Sequence, residues 1–567
     1  MRIVGLLWLI ILFGCNNNEV VADLILTNAQ VYTLDRDLEM AEAIAIQNGR
    51  IIAVGSTAEV LEFAGDPTVV EDLMGAFVMP GFIEGHGHFS GLGSSLMNLN
   101  FLHAQSWDDI MEAVSEKAKT MEPGEWIIGR GWHQEKWVTS PDRNIQGYPF
   151  HNDLSALTPD HPVLLKHASG HGLFANAKAM ELAGISKETP NPAGGKIVRD
   201  AQGQAIGIFE ERAQGMITQA YNEYLSSLSQ EDLAAQWKKG IELAQEACLE
   251  RGITSFQDAG SSFEEIQRYK DMADNGELDI RLWAMVRRPY EELKTQVSQL
   301  PIINAGGGFF TCRAIKADLD GALGAFGAWL LEPYEDRPDF VGQNTTPISE
   351  VEQIAALAAD HQLQLCVHAI GDKANREVLN IYEATFEEKN PAESWRWRIE
   401  HAQHLSVDDI PRFAELGVIA AMQAIHCTSD APFVEKRLGL ERARTGAYPW
   451  RSLLDAGAVV TNGTDAPVEE VDALPSFYAS VTRKRIDNPK PFYPEQAMTR
   501  EEAIYSYTLA NAYAAFEEKE KGSLEVGKYA DLVVLSHNLL TCKEEEILET
   551  KVLRTYVNGN LKFLKQD

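Results

Sequence analysis

Apolar residues fall along this chain in two textures. In the middle, compact apolar runs alternate with stretches whose apolar positions recur every three or four residues, the period of a helix with one buried face. The runs lie at 76–84, 253–257, 280–286, 313–317, 363–367, 397–400, 418–422 and 459–462. Helical patterns separate most of them, clearest at 349–361 and 407–416. Eight strands alternating with helices predict an α/β fold, a (β/α)8 TIM barrel. The two ends of the chain read differently. Leu24-Ile25-Leu26, Val31-Tyr32-Thr33, 43–46 and 50–54 are short strand-like runs, the last two split by the turn pair Asn48-Gly49. That texture returns at 531–535, 552–557 and 561–564, with Asn558-Gly559 as the turn. The ends are therefore expected to complete one small β-sandwich domain, from 22–75 plus 520–567, with the barrel over 76–519.

One interval breaks the rhythm. The stretch from 84 to 253 is far longer than an ordinary strand-to-helix connection. It predicts an inserted subdomain at about 90–250, with a helix near 107–121 and another opening at the N-cap pattern Ser229-Gln230-Glu231-Asp232. An insertion after the C-terminal end of a barrel strand would serve as a lid and supply substrate contacts.

The first residues form a third texture. Arg2 precedes an apolar run over 3–13, too short for the roughly 20 apolar residues of a membrane span but the length of a signal-peptide core. Leu12-Phe13-Gly14-Cys15 resembles a bacterial lipobox, and Asn16–Asn18 follow as a polar tether. This predicts a lipoprotein signal peptide and tether over 1–21, lipidation of Cys15, and an exported protein lipid-anchored to a bacterial membrane, facing the periplasm or cell exterior. A plain signal peptide or an uncleaved anchor is the alternative. Five further cysteines, Cys248, Cys312, Cys366, Cys427 and Cys542, include no CxxC pair and read as free thiols rather than a disulfide framework or zinc cage.

Composition bounds the partners. Of 567 residues, 45% are hydrophobic and 23% charged, an ordinary globular balance. The formal charge of −33 argues against nucleic acid, whose phosphates need a basic face. A small-molecule substrate is expected, the membrane is met through the lipid anchor alone, and a homodimer is left open.

The candidate chemistry sits where apolar strands stop. His86 and His88 end the first run, two apart and so on the same side of a strand. Lys316 ends the fourth, His368 follows the fifth, His401 the sixth, and Asp465 the eighth. The C-terminal rim of the strands is where barrel enzymes build active sites. A core histidine or surface lysine accounts for any one of these positions and accounts poorly for all of them together. Trp132, His133 and His171 in the insertion, with Asp320 and His426 on the rim, are further candidates for substrate contact.

The order HxH, Lys, His, His, Asp along a barrel resembles the amidohydrolase superfamily, and more narrowly the YtcJ-like and N-substituted formamide deformylase-like hydrolases. The likeness extends to Val78-Met79-Pro80-Gly81-Phe82-Ile83, Gly131-Trp132-His133-Gln134-Glu135-Lys136-Trp137, Lys316-Ala317-Asp318-Leu319-Asp320-Gly321, Glu400-His401-Ala402-Gln403, Gly463-Thr464-Asp465-Ala466-Pro467 and the closing segment from Gly522 to Leu535. It covers the chain from about residue 22 onward. Glu84 departs from the Asp usual before the HxH, and Gly87 is smaller than usual.

The resemblance implies one or two divalent metal ions, most simply zinc, with iron or manganese as alternatives. His86, His88 and Asp465 would hold one ion and His368 and His401 the other. Lys316, converted by CO2 to a carbamate, would bridge them, since an ammonium has donors only and cannot ligate. It further implies hydrolysis of an amide, formamide or cyclic amide C–N bond by a metal-activated hydroxide, with Asp465 as general acid and base. Hydrolysis of esters or phosphoesters on the same site is one alternative, and a non-catalytic solute-binding surface lipoprotein is another.

Overall fold

The structure, a computed structural model, describes residues 20–101, 104–134, 137–167, 172–192, 195–324, 326–392 and 394–566. Residues 1–19, and with them Cys15, lie outside the described residues, as does His171. The chain forms two compact units. The first comprises Met1–His86, Cys248–Thr464 and Asp472–Asp567, and the second Gly87–Ala247 with Asp465–Val471.

In the first unit eight strands pair in chain order: β1 (Phe82–Gly87), β2 (Ile253–Ser261), β3 (Arg281–Val286), β4 (Phe310–Asp318), β5 (Gln364–Ala369), β6 (Arg398–His401), β7 (Ile419–Met422) and β8 (Val460–Asn462). Registers from β2 through β8 are parallel. The fold is a nearly closed eight-stranded parallel barrel. Its strands are buried on both faces, which is why they read as unbroken apolar runs. Helices such as Ile348–Asp360 and Asp372–Lys389 follow β4 and β5 and bury Val351, Ile354, Val378 and Leu379 at helical spacing.

The run 76–84 is two strands, not one. Phe77–Pro80 joins the β-sandwich, and β1 begins after it. Pro80 lacks an N–H, and Gly81 lies so close to Thr254 that a Cβ there would meet its side chain at 2.2 Å. The chain changes sheets at this Pro-Gly pair.

Side chains close the seam between β1 and β8. Asn511 donates Nδ2–H to the carbonyls of Ile83 at 2.7 Å and Asn462 at 2.8 Å. The Glu84 carboxylate accepts from the Thr464 N–H at 2.6 Å and its hydroxyl at 2.9 Å. Gly85 permits this approach, because a Cβ there would sit 2.3 Å from the Asn462 carbonyl.

The sandwich is built from both chain ends. A four-stranded sheet orders Arg50–Gly55, Ala43–Gln47, Leu24–Thr27 and Val69–Asp72. A six-stranded sheet orders Asn560–Leu564, Val552–Val557, Leu532–Leu535, Phe77–Pro80, Gln30–Tyr32 and Met40–Ala41. Leu26, Val31, Ile44, Val78, Leu532, Val534 and Tyr556 form the core of this domain. A buried Arg281–Asp531 pair, Nε to Oδ2 at 2.6 Å, ties β3 to the sandwich.

The second unit has a core of its own. Its six-stranded sheet orders Gly195–Arg199, Ala205–Glu211, Gly172–Ala175, Val163–His167, Ile127–Trp132 and Leu99–Asn100. Trp107, Trp132, Leu154 and Phe174 pack in one cluster, and Trp126, Phe209 and Ile217 in another. The expected cap is formed: Asp232 donates its N–H to Ser229 Oγ at 3.0 Å. Among the described residues no helix is long and apolar enough to cross a membrane.

Candidate metal centre

In the first unit the carboxyl ends of the barrel strands gather imidazoles. His86 on β1, His368 on β5 and His401 on β6 crowd together, with ring centroids 4.7 Å apart for His86 and His401 and 4.4 Å for His368 and His401. His86 is 1% exposed and His401 5%. Lys316 on β4 is 2% exposed and donates to Asp318 Oδ1 at 2.9 Å. Asp318 pairs with Arg287 at 2.6 Å. Burial alone would raise the Asp318 carboxyl, but Lys316 and then Arg287 outweigh it and hold it below the carboxylate range. A cavity of about 530 Å³, with Ser262, Arg287, Lys316, Asp318 and Glu350 on its walls, opens over β2–β4.

The partners of these rings decide what they can do. His86 Nδ1 bonds the carboxylate of Glu400, which no solvent reaches. Arg398 grips the same carboxylate at both oxygens, Nε at 2.6 Å and Nη2 at 2.9 Å. Burial would push Glu400 up, yet Arg398 and then His86 outweigh it and hold the carboxyl down to about 2. His401 Nδ1 bonds Gln423 Oε1 at 2.7 Å. Each contact puts the ring proton on Nδ1, which leaves the lone pair on Nε2. That arrangement, with the outer partner fixing ring and tautomer, is the one metal-binding histidines require.

Backbone strain concentrates here. His401 (φ +73°) and Ala402 (φ +43°) both lie in the left-handed region, where an L-residue costs roughly 1–2 kcal/mol. The bonds Ala402 N–H to Ala369 O at 3.1 Å and His404 N–H to Ile370 O at 3.0 Å hold the turn. Such conformations persist where the surrounding structure over-determines them, as at functional sites.

The second unit holds another pair. His88 Nε2 lies 3.1 Å from Asp465 Oδ1, and the His88 N–H bonds the Ala466 carbonyl at 2.7 Å. Asp465 is itself left-handed, φ +59°.

Among the other candidates the structure makes distinctions. Trp132 is completely buried and gives its indole N–H to the Leu165 carbonyl at 2.8 Å, which makes it core rather than a substrate contact. Asp320 is 3% exposed, and its carboxylate accepts the backbone N–H groups of Ile370, Gly371 and Trp329 at 2.8–2.9 Å. It fixes the turn after β5 instead of facing a substrate. Burial pushes its carboxyl up to about 7 against the pull of those donors. His133 packs against His167, ring centroids 4.5 Å apart, and His426 lies buried beside His401.

Arg398, Gln423 and His167 were not singled out from the sequence, and Glu400 and Gln403 only as part of a matching motif, with no role. A signal for Arg398 and Glu400 existed: in Arg398-Ile399-Glu400 charges alternate with an apolar residue, so both point to one face of a central strand.

A divalent ion fits the donors present in the first unit. His86 and His401, buried and this close, repel one another if protonated, and as neutral Nε2 donors they suit a cation.

Residues 69–563 match the amidohydrolase family. YtcJ of Bacillus subtilis is 31% identical over 544 residues, 94% of this chain and 98% of that protein. An N-substituted formamide deformylase of Arthrobacter pascens is 28% identical over 551 residues, 95% and 98% of the two chains. Among solved structures, an uncharacterized metal-dependent hydrolase from Pyrococcus horikoshii OT3 superposes with TM-score 0.74 at 27% identity, covering 92% of this chain and 99% of that one.

Proposed function

The chain belongs to the amidohydrolase family, and from that premise we propose that it hydrolyses a C–N bond of a small amide, an N-substituted formamide being the first class to try. The supporting observation is the outer shell of the histidines: Glu400 and Gln423 lock His86 and His401 with their Nε2 lone pairs presented. A solute-binding lipoprotein has no use for two such rings beside a buried lysine.

In this reading His86, His88, Lys316 as its carbamate, His368, His401 and Asp465 are the ligands. A divalent ion held by them supplies a Lewis acid and makes water acidic near neutral pH. The chain's own residues do the rest. Asp465, whose Oδ1 lies 3.1 Å from His88 Nε2, would take the proton of the attacking water and later return it to the leaving amine. The left-handed backbone at Asp465 fixes that carboxylate in place. Arg398 keeps Glu400 ionised, and Glu400 keeps His86 from turning. Export and lipid anchoring through Cys15 belong to the same proposal.

The reading is tested with full-length protein loaded with zinc and a panel of N-substituted formamides, simple amides and esters. Wild type should release amine from at least one amide class, and Asp465→Asn should lose at least about 100-fold in kcat while folding normally. A chain that retains no metal, or an Asp465→Asn variant with full activity, overturns it.

A further inference from the structure

Two glutamines set the protons on two neighbouring imidazoles in opposite ways. Gln423 donates its amide N–H to the Ala421 carbonyl at 3.0 Å, which turns Oε1 toward His401 Nδ1 at 2.7 Å. A carbonyl oxygen only accepts, so His401 carries its proton on Nδ1. At His426 the partner is the other end of an amide: Gln403 Nε2 lies 3.1 Å from His426 Nδ1. An amide nitrogen donates and does not accept, so Nδ1 holds the lone pair and the neutral ring carries its proton on Nε2. A metal ligand needs the reverse at that nitrogen.

Position agrees with tautomer. His426 is 7% exposed and is the third residue of the helix Ala424–Leu438 that follows β7. Its ring lies nearly parallel to that of His401, 14° between planes and 6.1 Å between centroids, and a nitrogen of each ring comes within 4.8 Å of the other. The two rings, with opposite tautomers, thus stand side by side on the same rim.

We infer that His426 is not a further metal ligand but an Nε2–H donor to the acyl oxygen of the substrate, an inference that rests on the hydrolase reading above. Gln403 is the positioning residue that sets its tautomer. As the acyl carbon becomes tetrahedral its oxygen gains charge, and a donor fixed there strengthens with that charge. The substrate class narrows accordingly. A C–N bond beside a carbonyl oxygen is accepted, and the formamidine analogue, which offers N–H where the oxygen should be, is rejected.

The test uses the full-length zinc-loaded chain with 15N-labelled histidine, the His426 resonances being assigned by their loss in His426→Gln. The expected spectrum shows His426 protonated on Nε2 and bare on Nδ1. Gln403→Glu, which accepts where the glutamine donated, should reverse that pattern. It should also lower kcat on N-substituted formamides about 100-fold, with metal content and KM little changed. His426→Gln should keep its metal. A wild-type ring protonated on Nδ1, metal lost from His426→Gln, or full kcat in a Gln403→Glu variant with the reversed tautomer overturns the inference. A wild-type chain inactive on every amide sinks the hydrolase reading instead, and the spectra and metal content still decide the tautomer.

Discussion

Glu400→Gln separates the two roles of the most buried ion pair beside the candidate ligands. The change keeps the shape of the side chain and an oxygen for His86 Nδ1, and removes the charge. Glu400 and Arg398 are both wholly shielded from solvent, and Arg398 holds the carboxylate at both oxygens. A guanidinium stripped of its counter-charge in such a place costs about 3–5 kcal/mol. The titration gives the same scale. The carboxyl sits at about 2 in the fold against 4.5 unfolded. That difference of about 2.5 units corresponds to about 3 kcal/mol at pH 7. Because the folded value is depressed, this stabilisation is fully present above about pH 4.5 and is lost as pH falls toward 2. Urea unfolding at pH 7 should therefore show Glu400→Gln destabilised by about 3 kcal/mol, with a gap from wild type that narrows toward pH 3. Metal affinity, read by chelator competition, should fall about 10–100-fold, because His86 loses a charged partner on Nδ1. Adding Arg398→Met should recover part of the stability and none of the metal affinity. A single variant within 1 kcal/mol of wild type with unchanged metal affinity would refute the reasoning, since a buried guanidinium cannot lose the carboxylate it grips at both oxygens without cost.

Three further perturbations test other parts of the molecule. Lys316→Ala should lose metal affinity by at least about 100-fold, and millimolar propionate should restore part of the metal content by placing a carboxylate where the carbamate would lie, since Lys316 lines an open cavity; metal analysis that shows no loss refutes the bridging role. His404 is buried without a hydrogen-bond partner for either ring nitrogen among the described residues, and burial lowers it from 6.5 to about 3. The unfolded state alone binds that proton between these values, so stability rises with pH across the window. His404→Phe should abolish about 2 kcal/mol of the stability lost between pH 7 and pH 5, measured by urea titration at both. Asn511→Leu strands the carbonyls of Ile83 and Asn462 at the barrel seam and should cost at least about 2 kcal/mol, with thermal unfolding as the readout; a shift below 1 °C in Tm would show that the seam is held elsewhere.

The barrel was legible because burial on both faces writes a strand as a solid apolar block, and seven of the eight runs lie on the strands β2–β8. The eighth, 76–84, misled for a physical reason. Two strands in different sheets share one apolar block when the chain crosses between them at a single tight point, and only Pro80-Gly81 marks the crossing. The insertion is expected from an interval too long for a loop, and from the sequence Trp132 reads equally as packing within it or as a substrate contact. Trp132 beside His133 suggests a binding motif, but a subdomain with two sheet faces to cover needs large side chains of its own, and Trp132 serves that need.

The candidate site divides along the same line between pattern and partnership. His86, Lys316, His368 and His401 could be read from strand ends, because the rim of a parallel barrel is a property of spacing along one chain. Glu400, Gln403 and Gln423 could not, because their meaning lies in which ring each one faces. A glutamine donates or accepts according to which end of its amide meets the ring, Oε1 for Gln423 at His401 and Nε2 for Gln403 at His426. The distinction matters for the proposal: two histidines of identical composition, His401 and His426, meet the opposite ends of two amides and so carry opposite tautomers. The left-handed turn at His401 and Ala402 that brings the first ring into place is likewise written in no local propensity, and it is maintained by backbone bonds to β5 and the turn after it. The chemistry of this rim is therefore set less by which residues the strands end in than by the neighbouring turns that hold their protons and orient their rings.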